Sequence, residues 1–97
     1  MKVYISGGIT GVDGYLDKFQ AFQDRLEKAG YEVINPAKIL SYMPPSTDYE
    51  GYMRLCMALI DQCEMVYLMP GWENSQGATF EKHYGLIMGK IIAEDEV

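Results

Sequence analysis

Two hydrophobic periods alternate along this chain. Residues 2–6 (KVYIS) are rich in β-branched and aromatic side chains and predict a short strand. Gly7, Gly8 and Gly11 then open a loop. Leu16, Phe19, Phe22 (or Gln23), Leu26 and Ala29 follow helical spacing, and Gly30 is a suitable stop. Tyr31 to Ile34 predicts a second strand, ended by Asn35-Pro36 because proline has no N–H for the ladder. Residues 36–47 read as the longest irregular stretch. Asp48 or Thr47 is placed to cap the next helix, which carries Tyr52, Cys56, Leu59, Ile60 and Cys63 on one face. Met65 to Met69 (MVYLM) is near-continuously apolar, as in strands buried on both sheet faces. A helix over 77–89 follows, and Lys90 to Ala93 predicts a last strand before an acidic, solvated tail at Glu94-Asp95-Glu96.

Strands alternating with helices imply right-handed βαβ units and a parallel sheet. The expectation is an α/β, flavodoxin-like three-layer sandwich with a four-stranded parallel sheet in the order 2-1-3-4. Its topological switch point falls between the first and third strands, and ligands of such sheets bind there, outside the carboxyl ends of the strands. The loops emerging at that point are Gly7–Asp13 and Pro70–Gly77, so two glycine-bearing loops are expected to face one cleft.

Within the second loop and its helix, Glu81 has Gly77 at i−4, Ala78 at i−3 and Gly85 at i+4, the positions that share its helical face. Small neighbours leave room for a ligand beside the carboxylate. The competing explanation is an exposed helical glutamate beside glycines needed for close packing. Convergence of the two loops favours a site. Ser75 is placed to cap the helix, with its hydroxyl and the free N–H groups of Gln76 and Gly77 facing outward, donors that suit an anion such as phosphate. The first loop, Ser6-Gly7-Gly8-Ile9-Thr10-Gly11, is neither a dinucleotide fingerprint nor a Walker A loop.

Composition narrows the class. At 97 residues, 48% apolar and 23% charged, the chain is expected to form one domain over 1–97 with a single-domain core. The net charge of −6 argues against a nucleic-acid polymer or an anionic membrane as partner, since either calls for clustered Lys and Arg. No apolar run approaches the ~20 residues of a spanning helix, and the N-terminus carries no signal peptide, so a cytoplasmic location is expected. Cys56 and Cys63 are seven apart on the predicted helix, roughly 10 Å along its axis, too far for a disulfide within it. Both are expected to be buried and reduced. With His83 the only histidine and no zinc-ligand spacing, no metal is expected.

With phosphate at Ser75, a sugar ring would lie toward Glu81. A carboxylate there suits attack on an anomeric carbon, or stabilisation of an oxocarbenium-like transition state, as N-glycosidic cleavage requires. Glu73, Glu64, Asp61 and Asp48 are candidates for the proton donor. Tyr4 or Trp72 is a candidate to stack on a base.

The segments VYISGGITG, GYEVINPAK, YMRLCMALIDQCEMVYLMPGW and NSQGATFE together resemble the nucleoside 2-deoxyribosyltransferase superfamily, and most of all its small phage and bacterial branch. The resemblance spans nearly the whole chain. It implies a flavodoxin-like sheet, a homo-oligomer (dimer or higher), no cofactor, and a glutamate nucleophile at Glu81. Ser75-x-Gly77-x-x-x-Glu81 looks more like the 2′-deoxynucleoside 5′-phosphate N-hydrolases, which implies that Ser75 and Gly77 contact a 5′-phosphate and that Tyr4, Gly7 and Ile9 line the substrate pocket. The expected partner is thus a small nucleoside or nucleotide.

Two positions depart from that pattern. Thr10 stands where the hydrolases carry arginine, and Cys56 aligns with an aspartate that positions or protonates substrate. A thiol supplies neither a carboxylate's charge nor its paired acceptors. The leading expectation is therefore an N-glycosidic hydrolase or transferase. The alternative is a non-catalytic nucleotide-binding or sequestering protein, and a third possibility is a purely structural oligomeric subunit.

Overall fold

The computed structural model describes residues 1–94. Four strands, β1 (Lys2–Ser6), β2 (Glu32–Ile34), β3 (Met65–Leu68) and β4 (Ile91–Glu94), form one all-parallel sheet in the order β2-β1-β3-β4. The helices are α1 (Tyr15–Lys28), α2 (Pro36–Leu40), α3 (Tyr49–Asp61) and α4 (Gln76–Ile87). This is the expected flavodoxin-like arrangement, with helices packed around a central sheet.

The period of two in β1 divides its side chains between two cores. Val3 and Ile5 join Phe19 and Leu26 of α1, with Ala37 and Met69, on one face. Tyr4 joins Cys56 and Ile60 of α3, with Cys63, Val66 and Leu68, on the other. Because β1 and β3 are the central strands, β1 is buried from Val3 to Ser6 and β3 is covered on both faces. Register is fixed by pairs such as Val3 with Val33, Tyr4 with Val66, and Val66 with Ile92.

Several expected boundaries move. Pro36–Leu40 is a short helix rather than irregular chain. The Asn35 side chain accepts a hydrogen bond from the Lys38 N–H, and Pro36 occupies the first turn, where its missing N–H costs nothing. Asn35-Pro36 thus ends the strand by starting a helix. Asp48, not Thr47, caps α3, accepting from the Gly51 N–H at 2.7 Å. The chain leaves α3 at Asp61, so Cys63 sits in the following turn rather than on the helix. Both cysteines are free and buried. The last strand is shifted by one residue, and Glu94 belongs to it, accepting from the Trp72 indole N–H at 3.1 Å. The remaining acidic tail residues, Asp95 and Glu96, lie outside the described residues. Among the described residues no helix is long and apolar enough to cross a membrane.

Candidate active site

The carboxyl ends of β1 and β3 open into the loops 7–14 and 69–75, and a cleft of about 660 Å³ lies over them. That volume is in the range of small-molecule sites. The two loops are held close. A β-carbon on Gly7 would meet Met69 Sδ at 3.1 Å and Met69 Cβ at 3.2 Å, while the Met69 N–H donates to the Ser6 carbonyl at 2.8 Å. Gly7 therefore lines the cleft and also permits the contact between loops that shapes it.

After β3, Gly71 takes a positive φ and begins a single 3-10 turn over Trp72–Asn74, which delivers Ser75 to the start of α4. Ser75 caps that helix: its hydroxyl oxygen accepts from the Ala78 N–H at 3.1 Å. Glu81 follows in the second turn, about 9 Å further along the axis. Ser75, Gly77, Ala78 and Glu81 all line the cleft.

Glu81 is not the open carboxylate that its small neighbours suggest. It is 5% exposed. Its Oε2 accepts from the Tyr4 hydroxyl at 2.7 Å and its Oε1 from the Ser6 hydroxyl at 2.7 Å, so both oxygens are tied to β1. The small residues around it have separate tasks. Gly77 faces the cleft, where a β-carbon would lie 3.5 Å from the Tyr49 hydroxyl. Gly85 faces the sheet, where a β-carbon would lie 3.0 Å from both Val66 Cγ2 and Ile92 Cδ1.

Burial raises the carboxyl of Glu81 above its ordinary range, and hydrogen bonds from Ser6, Tyr4 and Cys56 pull it back down. The same site holds its other groups protonated. Burial, and then the Glu81 charge, raise the Tyr4 hydroxyl well above its ordinary value. Burial and the Glu81 charge push the Cys56 thiol up to about 12. Three neutral O–H and S–H donors thus surround one buried carboxyl, whose burial favours the neutral form while their hydrogen bonds favour the charged one.

Of the residues the sequence singled out, Tyr4, Gly7, Ile9, Ser75, Gly77 and Glu81 all line this one cleft. Tyr4 does so from beneath. It is fully buried with its hydroxyl on Glu81, so its ring is not presented for stacking on a base. Trp72 lies outside the lining, packed on the α3–α4 side of the sheet with Lys82 over its ring. The candidate proton donors are also elsewhere. Asp48 caps α3, Asp61 accepts from Tyr84, Glu64 accepts from the Lys2 N–H at the opposite end of the sheet, and Glu73 is exposed. Among the described residues, Glu81 is the one Asp or Glu that lines the cleft.

Ser6 was not singled out, although it shares a strand face with Tyr4 two residues earlier and so had to point the same way. The walls supplied by Tyr15, Leu40, Tyr49, Tyr52 and Met53 were missed as well. Tyr15, Leu40 and Tyr49 come from segments with no motif, Tyr52 and Met53 from the start of a segment that carries the resemblance, and they meet only in the fold.

Over residues 1–94 the chain matches a family described as a domain of unknown function, DUF4406. The chain belongs to this family. No curated protein matches it.

Proposed function

We propose that this DUF4406 domain cleaves or transfers the N-glycosidic bond of a 2′-deoxynucleoside or its 5′-monophosphate, with Glu81 as nucleophile. The observation that carries the reading is the buried Glu81 carboxylate, held by Tyr4 and Ser6 at the switch-point cleft. Resemblance to the nucleoside 2-deoxyribosyltransferase superfamily supports it. In this reaction a Glu81 oxygen bonds to C1′ as the C1′–N bond breaks, and the bonding pair leaves with the base, which takes a proton from solvent. Water then attacks C1′ and gives up one proton to solvent, while the C1′–O bond breaks with its pair returning to Glu81, which releases the sugar and restores the carboxylate. A second base in place of water gives transfer. Hydrogen bonds from Tyr4 and Ser6 hold the carboxylate in one orientation, which favours attack.

One observation favours the alternative of a non-catalytic nucleotide-binding or sequestering protein. Cys56, not a carboxylic acid, lies beside Glu81, so among the described residues no second carboxyl lines the cleft to protonate the leaving base. Incubating wild type and Glu81→Gln with each deoxynucleoside and its 5′-monophosphate, and following free base by chromatography, separates the two. Base release by wild type that is lost in Glu81→Gln supports the enzyme. Binding without release in both proteins supports sequestration.

A homo-oligomer belongs to the same proposal. The exposed side chains of Leu86, Ile87, Met88 and Ile91 gather at the end of α4 and on the edge strand β4, which is open to a partner. Sizing at two concentrations tests it.

A further inference from the structure

Resting on the proposed N-glycosidic function, we infer that the cleft takes the neutral 2′-deoxynucleoside and discriminates against its 5′-monophosphate. No lysine, arginine or histidine lines the cleft among the described residues, and the one acidic side chain there is Glu81. Three cations are engaged elsewhere, and Lys18 and Lys38, which adjoin the lining in sequence, are not part of it. Arg54 on α3 pairs with Glu50, Lys82 on α4 lies over the Trp72 ring, and Lys90 donates to the Asp61 carbonyl. Thr10, at the tip of the first loop, brings only a hydroxyl.

A phosphate dianion bound over this cleft would meet a buried carboxylate with no cation between them. The start of α4 offers the Ser75 O–H and first-turn N–H groups, a set of neutral donors. A sugar 5′-hydroxyl can use these as well as a phosphate can, without adding charge. The partial positive charge of a helix N-terminus, about half an elementary charge, is too small to neutralise both a dianion and Glu81. The chain's net charge of −6 adds to the repulsion.

Chemistry points the same way. Glu81 must be ionised to attack C1′, and its burial already favours the neutral form. A nearby dianion favours the neutral form further, so a bound monophosphate would tend to discharge the nucleophile. The remaining walls suit an uncharged ligand: Tyr15, Tyr49 and Tyr52 offer aromatic surface to a base, and Ile9, Leu40 and Met53 apolar surface.

The test is a matched comparison. Each deoxynucleoside and its own 5′-monophosphate are titrated into wild type by calorimetry at low and high salt, and base release is followed for both. The expected result is a preference for the nucleoside of about tenfold or more in Kd, narrowing as salt screens the repulsion. Gln76→Lys places a cation at the helix start and is expected to move the preference toward the monophosphate. A monophosphate bound as tightly as the nucleoside by wild type, or no shift in Gln76→Lys, overturns the inference while leaving the glycosidic function standing. Failure of both ligands to bind or release base overturns the function itself.

Discussion

The Ser6 hydroxyl donates a 2.7 Å hydrogen bond to Oε1 of Glu81, tying the end of β1 to the second turn of α4 across 75 positions of sequence. With the Tyr4 bond to the other oxygen, it holds the carboxylate against the sheet and supports its charge. Removing the Ser6 hydroxyl therefore has a directional consequence. Ser6→Ala is expected to raise the pH at which base release begins, because the ionised carboxylate loses a donor. Hydrogen bonds to charged groups are worth about 1.5–3 kcal/mol, so a loss of about tenfold or more in rate is expected just above that limb. A pH–rate profile checks it, and Ser6→Thr should restore much of the profile by returning the hydroxyl. An unchanged acid limb in Ser6→Ala would show that the bond is structural only.

Glu81 should cost the fold stability at neutral pH. Its folded-state pKa is raised above 4.5, with burial the largest cause, so the folded protein binds its proton more tightly than the unfolded chain does. That contribution is full below about pH 4.5 and is lost as pH rises through the folded value. Glu81→Gln removes the dependence. Relative to the variant, wild type is expected to lose stability between mildly acidic and neutral pH, as read from urea midpoints of both proteins across that range. Parallel curves would sink the assignment.

Both thiols should be inert in the folded protein. Burial is the largest cause in each case, pushing Cys56 up to about 12 and Cys63 up to about 11, so neither forms appreciable thiolate at neutral pH. Iodoacetamide is expected to label neither cysteine over hours under native conditions and both within minutes in denaturant, read by mass spectrometry of the peptides. Rapid native labelling of Cys56 would mean that the floor of the cleft opens to solvent.

Gly85→Ala tests the close packing of α4 on the sheet. The added methyl would sit 3.0 Å from Val66 Cγ2 and Ile92 Cδ1. Overpacking costs about 1–3 kcal/mol, and replacing glycine by alanine within a helix returns up to about 1 kcal/mol. The net expectation is a loss of about 1 kcal/mol in chemical denaturation. By contrast, Gly77→Ala meets its nearest neighbour at 3.5 Å, so it should leave stability nearly unchanged while narrowing the cleft beside Tyr49.

The sequence by itself determined the order and type of the major elements, because each carries a clear period and a local start or stop. The β1 pattern, Gly30 after α1, and the Ser75 cap of α4 are all set by neighbours within a few residues. Strand order was expected from the flavodoxin-like pattern of alternating strands and helices, in which the chain reverses direction across the sheet after the second strand. The Pro36–Leu40 helix was hidden because its signal, Asn35 before proline, also reads as the end of a strand. Spacing on α4 located Glu81, but not its surroundings. Whether the carboxylate stood open or buried depended on which face of β1 met α4, and that is decided by packing between residues 75 and 77 positions apart. Only the tertiary structure brought Tyr4, Ser6 and Cys56 against it, left the cleft wall without cations among the described residues, and made the helical glutamate the one acidic side chain there. Burial and charge are properties of assembled surroundings, and no local pattern in the chain encodes them.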